Sequence, residues 1–349
     1  MSKFLAISTI TTAMVSAADR PVIAVMSHPY NATHEYMAAS YVKYIESGGG
    51  RTLRVPFTAN STQVEEIYKQ TSGLLLMGGS ATLPQAARDL YSLKLKGDSN
   101  GSFYPMWGTC LGFEWINQLV SEDDSIIDSK FNAENISLAL DFEDDIEDSR
   151  VMPEGGVQTD LAGNYEITMN MHAHGVATEF NAENISLALD FEDDIEDSRV
   201  MPEGGVQTDL AGNYEITMNM HAHGVATEDW LANEHLTDTF NLISTNDDLD
   251  GKNFVSTIES KSADKAIYAT QWHPEKNNFE YGAVDNDQAY LSTSHSAEAV
   301  RLSFELAAFF VGEARKSDHV FKGDLKLAIN ERTGVLEETS FEERYVFLK

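Results

Sequence analysis

Tyr104 to Leu119 reads YPMWGTCLGFEWINQL: an apolar run, then Gly-Thr-Cys-Leu-Gly, then a segment compatible with a helix. That order predicts strand, sharp turn and helix, with Cys110 on the corner. Gly108 and Gly112 flank the turn, where side chains would collide with the adjoining strand and helix. Such a corner seats Cys110 at a helix N-terminus, whose unpaired N–H groups and dipole pull a thiol toward the reactive thiolate. It is the only cysteine in the chain, so no intramolecular disulfide can form. Between two spaced glycines it reads as a nucleophile rather than an inert buried thiol.

Working outward, Pro21–Met26, Arg51–Phe57 and Gly73–Met77 are short apolar runs with the character of strands. Glu35–Ser47 carries Met37, Tyr41, Tyr44 and Ile45 at helical spacing, Thr62–Glu65 has the form of a capping box, and Ala86–Leu95 is a further helical stretch. Alternation of strand and helix predicts an α/β fold, a mostly parallel central sheet with helices on both faces. Sites in such sheets lie at the carboxyl ends of strands, where Gly78-Gly79-Ser80 and Cys110 both fall. Phe240–Thr245, Phe254–Glu259 and Ala266–Trp272 are three more predicted strands, and Ala297–Ala314 is an amphipathic, core-packing helix. The NDDLDG segment from Asn246 has Thr257, not Glu, at the twelfth position of a calcium loop, so it reads as a solvated turn. The tail from Lys316 is polar with scattered apolar residues, and the sequence assigns it no role.

A thiol nucleophile needs a base, and the base needs an orienting partner. Thr270–Asn277, TQWHPEKN, offers both: His273 at a strand end and Glu275 two residues on. Oxyanion donors are expected from the N–H of Leu111 and from the Gly78-Gly79 pair after the third strand. Glu114, four residues past Cys110, falls on the same helix face and can bind substrate, steady the corner or simply be solvated. His172 and His174, and again His221 and His223, stand two apart on one strand face. No third ligand set accompanies them, so no metal site is expected.

Residues 131–179 and 180–228 are identical, a tandem duplication of 49 residues. Each copy holds eleven acids and one arginine and so accounts for much of the net charge of −32. Two undiverged copies without a third do not suggest a stacked repeat fold. One copy's worth of residues is expected to fill a single slot in the domain, the other 49 forming an insertion. With 349 residues, 42% hydrophobic, the chain can bury a large core, and its acidity argues against nucleic acid or anionic membrane as partner. Residues 1–17, MSKFLAISTITTAMVSA, have the form of a signal peptide cleaved after Ala17 or Ala18. Sequons at Asn31, Asn60, Asn100, Asn135 and Asn184 agree with a secretory route.

The segments YMAASYVKYIESGGG, LLLMGGS, YPMWGTCLGFE, NMHAHG, TQWHPEKNNFEY and AFFVGEARKS together carry a resemblance. The chain resembles the γ-glutamyl hydrolases, or folylpolyglutamate hydrolases, of the class I glutamine amidotransferase-like superfamily. That resemblance implies a flavodoxin-like sheet, Cys110 as nucleophile, His273 as base with Glu275 beside it, and a cleft histidine at His221 or its twin His172. It further implies homodimeric, cofactor-free thiol hydrolases of lysosome, vacuole or extracellular space that cut γ-glutamyl bonds of folate polyglutamates. The duplicated block, lying between nucleophile and base, is the departure from the family pattern. Two other functions fit the same residues: a glutaminase-type amidotransferase domain, and an inactive γ-glutamyl-binding protein blocked by the duplication. A polyanionic substrate also calls for local positive charge, for which Lys276 is a candidate.

Overall fold

A computed structural model describes residues 20–143, 149–151, 217–281, 283–284, 288–289, 292–323, 334–336 and 343–349. The signal segment, His172 and the Asn184 sequon lie outside the described residues. In chain order the first half gives β1 (Val22–Met26), β2 (His28–Pro29), β3 (His34–Ala38), α1 (Ala39–Ser47), β4 (Arg51–Val55) and α2 (Ser61–Gln70). Next come β5 (Leu74–Leu76), α3 (Gln85–Ser99), β6 (Met106–Thr109) and α4 (Leu111–Ser121). The duplicated block contributes β7 (Ser129–Leu138), β8 (Asp141–Phe142) and β9 (Thr217–Gly224), and α5 (Thr227–Ala232) starts at its end. Then follow α6 (Glu234–Thr239), β10 (Phe240–Asp247), β11 (Asn253–Ser260), β12 (Ile267–Thr270) and α7 (Lys276–Phe279). Two short strands, β13 (Ala283–Val284) and β14 (Gln288–Ala289), precede α8 (Ala297–Ala314), and β15 (Gly334–Leu336) and β16 (Glu343–Leu348) form the tail.

The main sheet has eight strands in the order β4-β1-β5-β6-β12-β11-β10-β8. Its first five strands pair in parallel and the remaining three antiparallel. Read in order of appearance, the parallel part is the flavodoxin-like 2-1-3-4-5 arrangement, which puts ligands at the carboxyl ends of its strands. Strand alternation divides the core in two. Ile23, Val25, Leu75 and Trp107 pack on one face with Tyr41, Tyr44, Leu306 and Phe310 from α1 and α8. Ala24, Met26, Leu74, Leu76 and Met106 face the other way, onto Val64, Leu90, Phe113 and Ile116 from α2, α3 and α4. Burying each such large aliphatic or aromatic side chain contributes about 2 kcal/mol, so the two layers fix the sheet between its helices.

Three local expectations are corrected by tertiary structure. Residues 35–38, expected in a helix, belong to β3, the centre of a second sheet of order β15-β16-β3-β2. The buried Glu35 carboxylate explains the change: it accepts from Ser27 Oγ (2.6 Å), Phe57 N–H (2.9 Å) and Thr58 Oγ1 (3.1 Å), contacts a helix could not reach. The capping box of α2 is built by Asn60 and Gln63, two residues before the expected start at Thr62. His221 and His223 do not share a face: a register shift between the Lys130–His223 and Ala133–His221 pairs leaves His221 buried and His223 exposed. The turn after β10 is organised by Asp248, whose carboxylate accepts from the N–H groups of Asn132, Asp250 and Lys252.

β7 takes all but its first two residues, Ser129 and Lys130, from the start of the first copy and β9 comes from near the end of the second, and the two pair antiparallel. Residues 152–216 of the duplicated block lie outside the described residues. Because the copies are identical, excising any 49 consecutive residues that begin between positions 131 and 180 yields the same shortened chain, with β7 and β9 intact. That chain is expected to fold and to melt cooperatively, as thermal unfolding would register. Failure to fold would mean that both copies are required.

Candidate active site

The corner forms as the residues demand. β6 ends at Thr109, α4 begins at Leu111, and Cys110 between them holds φ 52° and ψ −111°, a strained left-handed conformation for a residue with a side chain. Its N–H donates to Thr270 O at 2.9 Å, and its C=O accepts the Glu114 N–H at 3.0 Å. Gly112 permits the helix to leave so close to the sheet, since any Cβ there would overlap the Leu76 carbonyl. The thiol is 6% exposed, and its S–H is directed at the Met220 carbonyl of β9, 3.8 Å away.

Thr270 pairs with Thr109 across β12 and β6, so the chain after β12 emerges beside the corner. His273 lies there, its N–H bonded to Met218 O at 2.8 Å. Its ring Nδ1 donates to Glu275 Oε1 at 2.7 Å, which leaves the proton on Nδ1 and Nε2 basic. Nε2 is buried and has no hydrogen-bond partner among the described residues. Gly78 sits between the two groups: a Cβ built on it would stand 2.8 Å from His273 Cε1 and 3.1 Å from Cys110 Cβ. The imidazole and the cysteine side chain therefore face each other across one glycine.

The electrostatics differ from the thiolate expected at a helix N-terminus. Burial dominates and, with the Glu114 carboxylate beside it, pushes the Cys110 thiol up, while the Leu111 N–H and Lys276 pull it down. Burial likewise holds His273 below the usual imidazole range, against the opposing pull of Glu275. The resting pair is thus a neutral thiol and a neutral imidazole. Glu114 is buried in the same region, contacts Gln271 Nε2 at 3.4 Å, and is raised by burial to about 7.

Of the expected oxyanion donors, Leu111 faces the sulfur from the first turn of α4. The Gly78 N–H has its own acceptor, the Tyr41 hydroxyl at 2.8 Å. Gly79 has φ 149°, in the region that disfavours side chains, and a Cβ there would meet the His28 ring at 2.6 Å and Tyr36 Oη at 3.1 Å. His221 is buried in β9, its Nδ1 on His223 O at 2.8 Å and its Nε2 3.2 Å from Asn219 Oδ1, with burial lowering it to about 3. Lys276 is buried as well, and its charge acts on Cys110, His273 and Glu275.

The sequence reading missed Tyr41, which binds the Gly78 N–H and approaches His273 Nδ1 at 3.3 Å, and His28, buried against Trp115 beside Gly79. A signal existed for His28: it closely follows the apolar run of β1, at a carboxyl strand end. Tyr41 carried none, because at helical spacing it looks like any core aromatic.

Fold and site together define a hydrolase with a doubly wound parallel sheet and a cysteine at its strand-to-helix corner. The Peptidase C26 family model matches residues 20–121. γ-Glutamyl hydrolase B of Dictyostelium discoideum is 30% identical, over 94% of this chain and 83% of its own length. γ-Glutamyl hydrolase of Rattus norvegicus is also 30% identical, over 83% of this chain and 75% of its own, and γ-glutamyl hydrolase 1 of Arabidopsis thaliana is 25% identical, over 85% and 73%. The chain belongs to the γ-glutamyl hydrolase family.

Glu114 supplies a test of the buried site. Its folded value near 7 lies above the ordinary carboxyl value of 4.5, so the folded state holds a proton that the unfolded state releases first. Its contribution therefore falls as pH rises from about 4.5 to 7 and then levels off. Glu114→Gln is expected to gain stability over the parent across that window, with a constant advantage above it, as denaturant unfolding at a series of pH values would record.

Proposed function

We propose that this chain is a cysteine hydrolase of the γ-glutamyl amide bonds of folate polyglutamates, with Cys110 as nucleophile, His273 as base and Glu275 as its orienting carboxylate. The observation that carries this reading is the His273 ring, tied to Glu275 through Nδ1, bare at Nε2, and set across Gly78 from the thiol. Because both groups rest neutral, proton transfer from Sγ to Nε2 accompanies attack of the sulfur on the γ-carbonyl carbon. The carbonyl oxygen takes up the negative charge and is met by the N–H groups of Leu111 and Gly79. Collapse expels the amine, which takes the proton from Nε2, and leaves a γ-glutamyl thioester on Cys110. Water then gives a proton to Nε2 and attacks the thioester carbon; the carboxylic acid departs and the thiol is restored. Glu275 stabilises the imidazolium in both halves, and His221, with the Met220 carbonyl, forms the β9 wall of the cleft.

The proposed setting is the secretory route, ending in the extracellular space, lysosome or vacuole, with the protein acting as a homodimer. The sequons at Asn31, Asn60, Asn100 and Asn135 are all at exposed positions, which supports that reading.

Cys110→Ala is expected to abolish turnover when the protein is incubated with a ladder of pteroyl-polyglutamates and product lengths are followed by chromatography. Retained turnover would rule out the thioester route. Iodoacetamide labelling at neutral pH examines the base separately: Cys110 should be alkylated in the parent chain, and His273→Gln should slow alkylation by about tenfold or more. An unreactive Cys110 in the parent would point instead to a γ-glutamyl-binding protein without activity.

A further inference from the structure

The first copy of the duplicated block is fastened to the main sheet at one further point. Glu259, buried on β11, takes its partners from three consecutive residues, Ser149, Arg150 and Val151. Its Oε2 accepts from Ser149 Oγ at 3.0 Å and from the Arg150 and Val151 N–H groups, both at 2.9 Å. Its Oε1 accepts from Arg150 Nε at 2.9 Å. The guanidinium goes on to donate through Nη2 to Ser260 O at 2.7 Å, and its carbon lies 5.2 Å from the centre of the Tyr268 ring on β12. Val151 is buried in the core layer that also holds Ile243 and Tyr268. The buried carboxylate is thus matched to Ser-Arg-Val: the guanidinium answers its charge, and the hydroxyl and two N–H groups fill the remaining lone pairs.

The chain contains that tripeptide twice. Ser198-Arg199-Val200 repeats it 49 residues on, within identical flanking sequence, and lies outside the described residues. With Ser149–Val151 seated, 5 residues (144–148) lead from the end of β8 to the Glu259 site and 65 (152–216) lead on to β9. With Ser198–Val200 seated, the same two connections hold 54 and 16 residues. The donors offered to Glu259 are the same in both arrangements, so chain closure alone separates them. The probability of closure falls as the three-halves power of loop length, which favours Ser149–Val151 by only about fourfold. We propose that the Glu259 site takes Ser198–Val200 as a second occupant, so that the folded protein is an equilibrium between two threadings of its duplicated block. The extra 49 residues fall between the Glu259 site and β9 in one threading, and between β8 and that site in the other. β7 and β9 keep each other as partners in both.

Arginine substitutions in the full-length chain separate one occupant from two, read as the folding equilibrium constant in denaturant titrations. Removing the arginine of a buried ion pair leaves the carboxylate unpaired, which lowers that constant by about a hundredfold or more when no substitute exists. Arg199→Ala should change it little. Arg150→Ala should lower it by about fivefold, because the second tripeptide then holds the site. The double variant Arg150→Ala/Arg199→Ala should lose about a hundredfold or more, or fail to fold, far beyond the product of the two single effects. If Arg150→Ala alone fails to fold or is as damaging as the double variant, one tripeptide serves the site and the proposal is overturned. A double variant that matches the parent, or single effects that simply multiply, overturns it too. A rescue of Arg150→Ala that strengthens with protein concentration would mean that another molecule's tripeptide fills the site, and exchange within one chain would be refuted.

Discussion

One backbone hydrogen bond, from Cys110 N–H to Thr270 O at 2.9 Å, ties the corner that carries the thiol to the strand that ends beside His273. It continues the parallel ladder of β6 and β12 by one residue past the last regular pair, Thr109 with Thr270. Because the bond belongs to the ladder, sheet register brings Cys110 beside the chain that leads from β12 to His273. The strain at Cys110 persists because the surrounding structure over-determines it: β6 pulls from one side, α4 leaves on the other, and Gly112 lets the helix press against β5.

That placement has an electrostatic consequence. A corner at the carboxyl end of a buried sheet takes the thiol out of water, and the desolvation outweighs what the helix N-terminus offers. Burial acts on His273 in the opposite sense, since its charged form is the cation, so both shifts favour the neutral form of each group. Glu275 holds the His273 ring by its Nδ1 at 2.7 Å.

The second sheet adds the remaining wall. β3 is its pivot: Glu35 anchors it to the ends of β1 and β4 through Ser27, Phe57 and Thr58, Tyr36 reaches toward Gly79, and β16 lies alongside. Opposite, β9 presents the Met220 carbonyl to the thiol and buries His221 against Phe254 at 4.8 Å. Two chain segments far apart in sequence, β9 inside the duplicated block and β3 near the start of the chain, thus approach the corner formed at residue 110 and its neighbouring glycines.

By itself the sequence determined the parts whose causes are local. The Gly-Thr-Cys-Leu-Gly corner, the apolar runs of β1, β5 and β6, and the His-Pro-Glu unit announce themselves because turn sterics, period-two burial and short-range hydrogen bonding act over a few residues. Glu114 could be placed near Cys110 for the same reason, from helix spacing alone. Tertiary structure alone decided whatever depends on partners distant in the chain. Residues 35–38 have helical spacing yet are a strand, because Glu35 finds its Phe57 and Thr58 donors more than twenty positions away and β16 supplies the ladder some three hundred away. His221 and His223 share a spacing and not a face, because register against β7 shifts between them. The neutrality of the thiol and the place of Arg344 beside Tyr36 belong to the same class: desolvation and π contact are properties of a packed interior, and no stretch of sequence contains them.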